Sequence, residues 1–135
     1  MPSQAVEASS GRVRWIQEGD KELLLVDLNQ ATSEEALGAL EAFQKSLFGR
    51  PPASVHLLMD LSHTHYSPSV SSRWKSAAKT ANATVLKASA VYGATGIVGV
   101  ALKGYLEALR LVGMGSDSIG VFRDRNQALA WLKTR

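Results

Sequence analysis

Cysteine is missing from all 135 positions, which removes disulfides, thiolate metal sites and cysteine nucleophiles at once. A cysteine-free chain also fits a reducing compartment. No apolar run approaches the roughly 20 residues that span a bilayer. The stretch before Arg12 is small and polar with no apolar centre. Residues 1–11 are therefore expected to be a disordered tail rather than a secretion signal, and residues 12–135 a single domain in the cytoplasm. Acid is missing from one long stretch. Between Leu61 and Leu106 there is no Asp or Glu, while Arg73, Lys75, Lys79, Lys87 and Lys103 all fall there. Residues 1–60 reverse the balance, with nine acids against five bases. The acid-free stretch either favours an anionic partner or is a solvated lysine face. Its five bases form neither a stripe nor a recognised motif, so nucleic-acid binding is not expected.

With 45% apolar and 20% charged residues, the chain is expected to pack a real core. Arg12–Gln17 alternates, with Val13 and Trp15 on one face and Arg14 and Ile16 on the other. Glu18-Gly19-Asp20-Lys21 supplies turn chemistry, and Glu22–Leu28 is a continuous apolar strand, so the first pair reads as an antiparallel hairpin. Thr32 and Glu35 form a capping box before Ala36, Leu40, Phe43 and Leu47, the stripe of an amphipathic helix. Gly49 and Pro51-Pro52 stop that helix. Val55, Leu57, Leu58 and Met59 make a third strand ending at Asp60. Ser67 caps a second helix with Pro68 at its first position. Its apolar stripe is Val70, Trp74, Ala77, Ala78 and Ala81, and its outer surface is expected to be basic.

Thr84–Tyr92 reads as a fourth strand, Val100–Val112 as a very apolar third helix and Ser118–Phe122 as a fifth strand. Asp124 caps a last helix that turns Ala128, Leu129, Trp131 and Leu132 inward. Trp15, Trp74 and Trp131 are expected as anchors at the core. The order β-β-α-β-α-β-α-β-α demands parallel neighbours after the hairpin. The expected architecture is α/β: a five-stranded, mostly parallel sheet with one antiparallel edge strand and four helices.

This order, together with Leu57–Ser62 (LLMDLS), Ser89–Val98 (SAVYGATGIV) and Arg125–Leu132 (RNQALAWL), resembles the STAS domain. More closely, it is similar to the SpoIIAA-like (STAS/SEC14) bacterial proteins, relatives of anti-sigma factor antagonists. The likeness covers roughly residues 12–133. It implies a non-enzymatic regulatory module that binds a protein partner through the second and third helices. In phosphorylated STAS regulators a serine opening the second helix, usually after an aspartate and before a glycine, accepts phosphate from a partner kinase. The resemblance places that role on Ser69, with Ser67 as the alternative. Pro68 stands where the acid is expected, and Val70 or Ser71 where the glycine would be.

The residues add their own candidates. Gly93-Ala94-Thr95-Gly96-Ile97-Val98-Gly99 echoes a dinucleotide fingerprint. However, it follows the fourth strand rather than the first, and only one strand comes after it, so no cofactor is expected. His63 and His65 could point the same way in an extended segment, but no third ligand has a supporting spacing, so no metal is expected. Ser62, His65 and Asp60 lie too close in sequence for a hydrolytic triad, and no nucleophile-elbow motif is present; the protein is not expected to be an enzyme. A partner or ligand surface is placed on Asn29, Asp60, Ser62, His63, His65 and Tyr66, on the bases Arg73, Lys75 and Lys79, and on Gly93 and Thr95. The alternative reading is a small-molecule or lipid-binding domain, whose pocket lies at the carboxyl ends of the parallel strands near Asn29, Asp60, His63, Tyr66, Gly93 and Thr95. The third helix is apolar around much of its circumference, which suits a homodimer contact or an apolar ligand groove.

Overall fold

A computed structural model describes residues 11–64, 66–94, 103–104, 107 and 118–135. Val13–Glu18 (β1) and Lys21–Asp27 (β2) pair antiparallel, and Gly19 turns between them at φ 64°. Val55–Asp60 (β3), Leu86–Tyr92 (β4) and Ile119–Phe122 (β5) add in parallel, giving one sheet in the order β1-β2-β3-β4-β5. The expected five-stranded sheet with one antiparallel edge strand is therefore the observed one. Three helices occur among the described residues, where four were expected: Ser33–Leu47 (α1), Pro68–Thr84 (α2) and Arg125–Leu132 (α3). Most of the helix expected over 100–112 lies outside the described residues; within it Lys103, Gly104 and Glu107 are helical and exposed. No helix among the described residues is long and apolar enough to cross a membrane.

The strands are apolar on both sides because both faces are covered. Leu24, Val26, Leu57, Met59, Leu86 and Val91 pack toward α1 and α2. The alternate residues Leu23, Leu25, Leu58, Ala88 and Ala90 pack with Ala128 and Leu132 of α3. The alternation is the period-two geometry of a strand. On the larger side, Ala36, Leu40, Phe43 and Leu47 of α1 are all buried. Phe43 meets Trp74 of α2 with ring centroids 5.3 Å apart, and the Trp74 indole N–H donates to the Ala36 carbonyl at 2.9 Å. That bond lets a large aromatic be buried without leaving a polar atom unsatisfied. Trp15 and Trp131 sit nearer the edge, each half-buried beneath an arginine: Arg50 over Trp15 at 4.1 Å and Arg135 over Trp131 at 4.6 Å.

The expected capping box is present, with Glu35 N–H donating to Thr32 Oγ1 at 3.2 Å and Thr32 N–H to Glu35 Oε1 at 3.1 Å. One boundary differs. The β-branched pair Thr84-Val85 reads as the start of β4, yet α2 runs through Thr84 and β4 begins at Leu86. Helical hydrogen bonds decide it. Thr84 Oγ1 donates to Thr80 O at 2.8 Å, and Val85 N–H to Ala81 O at 2.9 Å, so local β-propensity yields to the helix already formed. Ala77 and Ala78, placed on the buried stripe by the sequence, are half-buried, whereas Val70, Trp74 and Ala81 are buried.

Two outcomes follow for stability. Trp74→Ala removes a buried ring, its contact with Phe43 and its hydrogen bond to Ala36 and should lower unfolding free energy by about 3–5 kcal/mol, measured by urea denaturation. Glu35 is held down from 4.5 to about 2, chiefly by the Thr32 backbone N–H and then by Arg12. A depressed carboxylate contributes stability above its unfolded pKa and loses it as pH falls through the folded one. The Glu35 contribution should therefore fade between about pH 4.5 and 2. Thermal melts across that window should show a smaller pH dependence in Glu35→Gln than in the wild type.

Candidate functional site

The carboxyl ends of β2 and β3 are built alike. Asp27 and Asp60 stand opposite one another in register. Asp27 Oδ1 accepts the Asn29 N–H at 2.9 Å, and Asp60 Oδ1 accepts the Ser62 N–H at 2.8 Å. In each corner a carboxylate stands in for a backbone carbonyl and turns the chain. Leu28 and Leu61 drop into the core, and Gln30 (φ 56°) and His63 (φ 52°) then adopt left-handed backbone, a conformation that disfavours side chains other than glycine, asparagine and aspartate. The ladder continues past the strands: Leu28 N–H donates to Asp60 O at 2.9 Å, Gln30 N–H to Ser62 O at 3.1 Å and Leu61 N–H to Tyr92 O at 2.9 Å. The twin segments Asp27-Leu28-Asn29-Gln30 and Asp60-Leu61-Ser62-His63 share this pattern in the sequence, a signal that reading the second one alone misses.

Arg12 fastens the first corner. Its guanidinium donates to the Asp27 and Asn29 carbonyls at 3.0 and 3.1 Å and to Glu35 Oε2 at 2.9 Å. The start of α2 is fastened to the start of α1, since the Ser67 N–H donates to Ser33 Oγ at 2.8 Å. Gly93, at φ 80°, closes the corner after β4. A Cβ built there would collide with Ser62 Oγ, so the end of β4 packs against the second corner only because it is glycine.

These contacts divide the residues singled out by the sequence. Asp60 lies on the α3 side of the sheet, beside Tyr92. Burial first, then the Asp60 charge, push the Tyr92 phenol up to about 12, with Arg125 opposing. Tyr66 lies on the other side, packed against the larger core. Burial raises its phenol, while the nearby Thr64 hydroxyl pulls the other way; that hydroxyl is buried without a well-formed hydrogen bond of its own. His63 is exposed, and Asn29 and Ser62 are half-buried at the corners. His65 and Thr95 lie outside the described residues. Among the described residues no group of three or more His, Asp or Glu side chains is placed to hold a metal.

The two serines differ. Ser67 Oγ accepts the Val70 N–H at 3.4 Å as the cap of α2 and lies 3.0 Å from Ser69 Oγ. Ser69 is exposed, at the second helical position after Pro68, in a first turn with no acid. The bases diverge as well. Arg73 and Lys79 are exposed, as a basic outer surface requires, but Lys75 is half-buried. Arg73 borders an open groove between α1 and α2, floored by Leu40, Phe43 and Leu47 and flanked by Phe48, which is 90% exposed. Lys75 lies on the opposite flank, where Trp74, Ala78 and Asn82 help line a cavity of about 70 Å³ between α2 and the sheet. Leu57, Met59, Val91 and Ile119 form its apolar wall. Of the six residues expected around a ligand pocket, this cavity includes Tyr66.

Gly93→Ala should destabilise the protein by about 2 kcal/mol or more, since it adds both a steric clash and a strained φ. The loss should be visible as a lower urea midpoint with an unchanged slope. The double variant Gly93→Ala/Ser62→Gly removes the clash and should recover part of it.

No family model matches the sequence, and no curated protein matches it. Among solved structures, the chain is similar to an uncharacterised DUF3478-family protein from Shewanella loihica PV-4, described as having a SpoIIAA-like fold. The two align with a TM-score of 0.63 at 16% sequence identity, over 89% of this chain and 91% of the other. Sheet order, helix placement and this likeness agree: the chain has the SpoIIAA-like fold.

Proposed function

We propose that this chain is a non-enzymatic, cytoplasmic regulatory module that binds a protein partner along α2 and the adjoining carboxyl edge of the sheet, and that phosphate on Ser69 switches the contact. The observation that carries this reading is the division of labour between the two serines. The Ser67 hydroxyl is engaged in capping α2, whereas the Ser69 hydroxyl stands exposed one position beyond Pro68. A phosphate on Ser69 would sit at the positive end of the α2 dipole, worth about 0.3–1 kcal/mol, with no acid in the first turn to repel it. Arg73, four residues on, lies within reach of the same helix face. The fold supports an antagonist-like module in general terms, and the α1–α2 groove, running from Arg73 to the exposed Phe48 near the end of α2, gives a partner an apolar surface.

Intact-mass measurement on protein isolated from its native host tests the switch. One added phosphate that disappears in Ser69→Ala but persists in Ser67→Ala supports it; no phosphorylated species under any growth condition, or a phosphate that persists in Ser69→Ala, overturns it. The two variants should also separate in stability. Ser67→Ala loses the helix cap and about 1 kcal/mol, whereas Ser69→Ala should change unfolding free energy by less than about 0.5 kcal/mol.

A second reading rests on the cavity between α2 and the sheet. Its apolar wall and few polar groups are the usual makeup of a small-molecule site. Native mass spectrometry of the purified protein should then show a co-purifying small ligand, and a clean apo mass would count against this reading.

A further inference from the structure

Building on that second reading, we propose that the cavity beneath α2 binds a small carboxylate with an apolar tail, with Lys75 as its counter-charge and the Tyr66 hydroxyl as a hydrogen-bond donor. The spacing along α2 places Ser71, Lys75, Ala78 and Asn82 on the cavity flank of the helix, a helical stripe of three and four residues, and all four line the cavity. An inward stripe of this kind is ordinarily apolar. Two of its polar neighbours are already satisfied: Ser89 Oγ donates to Asn82 Oδ1 at 2.8 Å, and Asn82 Nδ2 donates to Ala78 O at 2.9 Å. Lys75 is not. Among the described residues its ammonium has neither an ion pair nor a hydrogen bond, although the side chain is half-buried against an apolar wall.

Charge complementarity selects the ligand class. No described residue lining the cavity is acidic, and the sequence from Leu61 to Leu106 contains no acid. Among the described residues the cavity has one cation and no counter-ion, a lining matched by an amphiphilic anion and unfavourable to an amine of the same shape. Burial keeps the Tyr66 phenol protonated well above neutral pH, so it can donate to a carboxylate but not accept from it. Size selects the tail. At roughly 10–15 Å³ for each water centre, about 70 Å³ corresponds to a short acyl chain or a single ring rather than a long lipid chain. The apolar wall of Leu57, Met59, Val91 and Ile119 would hold that tail.

Calorimetric titration of the full chain with hexanoate, hexan-1-ol and hexylammonium tests the proposal, with intrinsic tryptophan fluorescence, to which Trp74 on the cavity lining contributes, as an independent readout. Hexanoate should bind most tightly and hexylammonium least. Lys75→Met keeps the stem and removes the charge. It should weaken hexanoate by about tenfold, the effect of losing one charge-assisted contact, while leaving hexan-1-ol unchanged and the urea midpoint near wild type. Ala78→Leu fills the cavity from α2 and should block hexanoate and hexan-1-ol alike. Equal affinity for hexanoate and hexan-1-ol, or hexanoate binding untouched by Lys75→Met, overturns the carboxylate assignment while leaving a small-molecule site in place. No binding of any of the three probes overturns both.

Discussion

Two carboxylates set the geometry of this protein's upper edge. Asp27 and Asp60 each accept a backbone N–H two residues downstream, and both bonds sit where a parallel strand must release the chain toward a helix. Without such an acceptor, the N–H groups just past the strand ends would be left half-buried and unpaired, a cost of about 1–3 kcal/mol each. With it, the chain turns at the same height on neighbouring strands. Leu28 and Leu61 fall into the same core, and α1 and α2 start side by side, joined by the Ser67–Ser33 hydrogen bond. The position of Ser69, the exposure of His63 and the glycine at position 93 all follow from where these corners are.

The corners also bear on what the site can do chemically. Asp60 is the residue that any metal, triad or acid–base proposal for this edge would call upon. It is instead occupied on one side by the Ser62 N–H and faces Tyr92 on the other. A carboxylate held in this way stabilises a turn and a buried phenol, and the bases near this edge lie on the following helix. Those bases separate on α2. Arg73 borders the groove toward α1, whereas Lys75 borders the cavity. A single basic helix thus presents two surfaces of different character, the groove toward α1 being the more open of the two.

The sheet owes its double-sided burial to unequal layers. On one side α1 and α2 contribute Phe43 and Trp74; on the other, α3 buries only Ala128 and Leu132 fully and packs Leu129 and Trp131 partly against the layer. The short α3 suffices because the strand residues facing it at β4 are Ala88 and Ala90, small enough for close approach, while Leu23, Leu25 and Leu58 supply the bulk. Gly120 works in the same layer: a Cβ there would press into the rings of Phe122 and Trp131, which pack 5.5 Å apart. The likeness in fold to a solved structure at 16% identity fits a layering that requires alternation and size rather than particular residues.

The sequence by itself determined the order of elements along the chain, the hairpin, the capping box at Thr32 and Glu35 and the inward stripe of α1. Each of these is a local pattern: a period of two or of 3.6, a turn glycine, a cap at fixed offset. It also marked Ser67 and Ser69 at a helix start and Asp60 at a strand end. The tertiary structure decided what those patterns could not encode. Whether Thr84-Val85 belonged to helix or strand depended on hydrogen bonds from the preceding turn. Which serine capped α2 depended on the Val70 N–H. That Asp60 and Tyr66 lie on opposite sides of the sheet depended on the corner between them, and that Lys75 turns inward while Arg73 turns outward depended on what packs against each flank of α2. The first two were settled by hydrogen bonds a single turn away that compete with local propensity, the last two by packing against elements distant in the chain, which a local pattern does not contain.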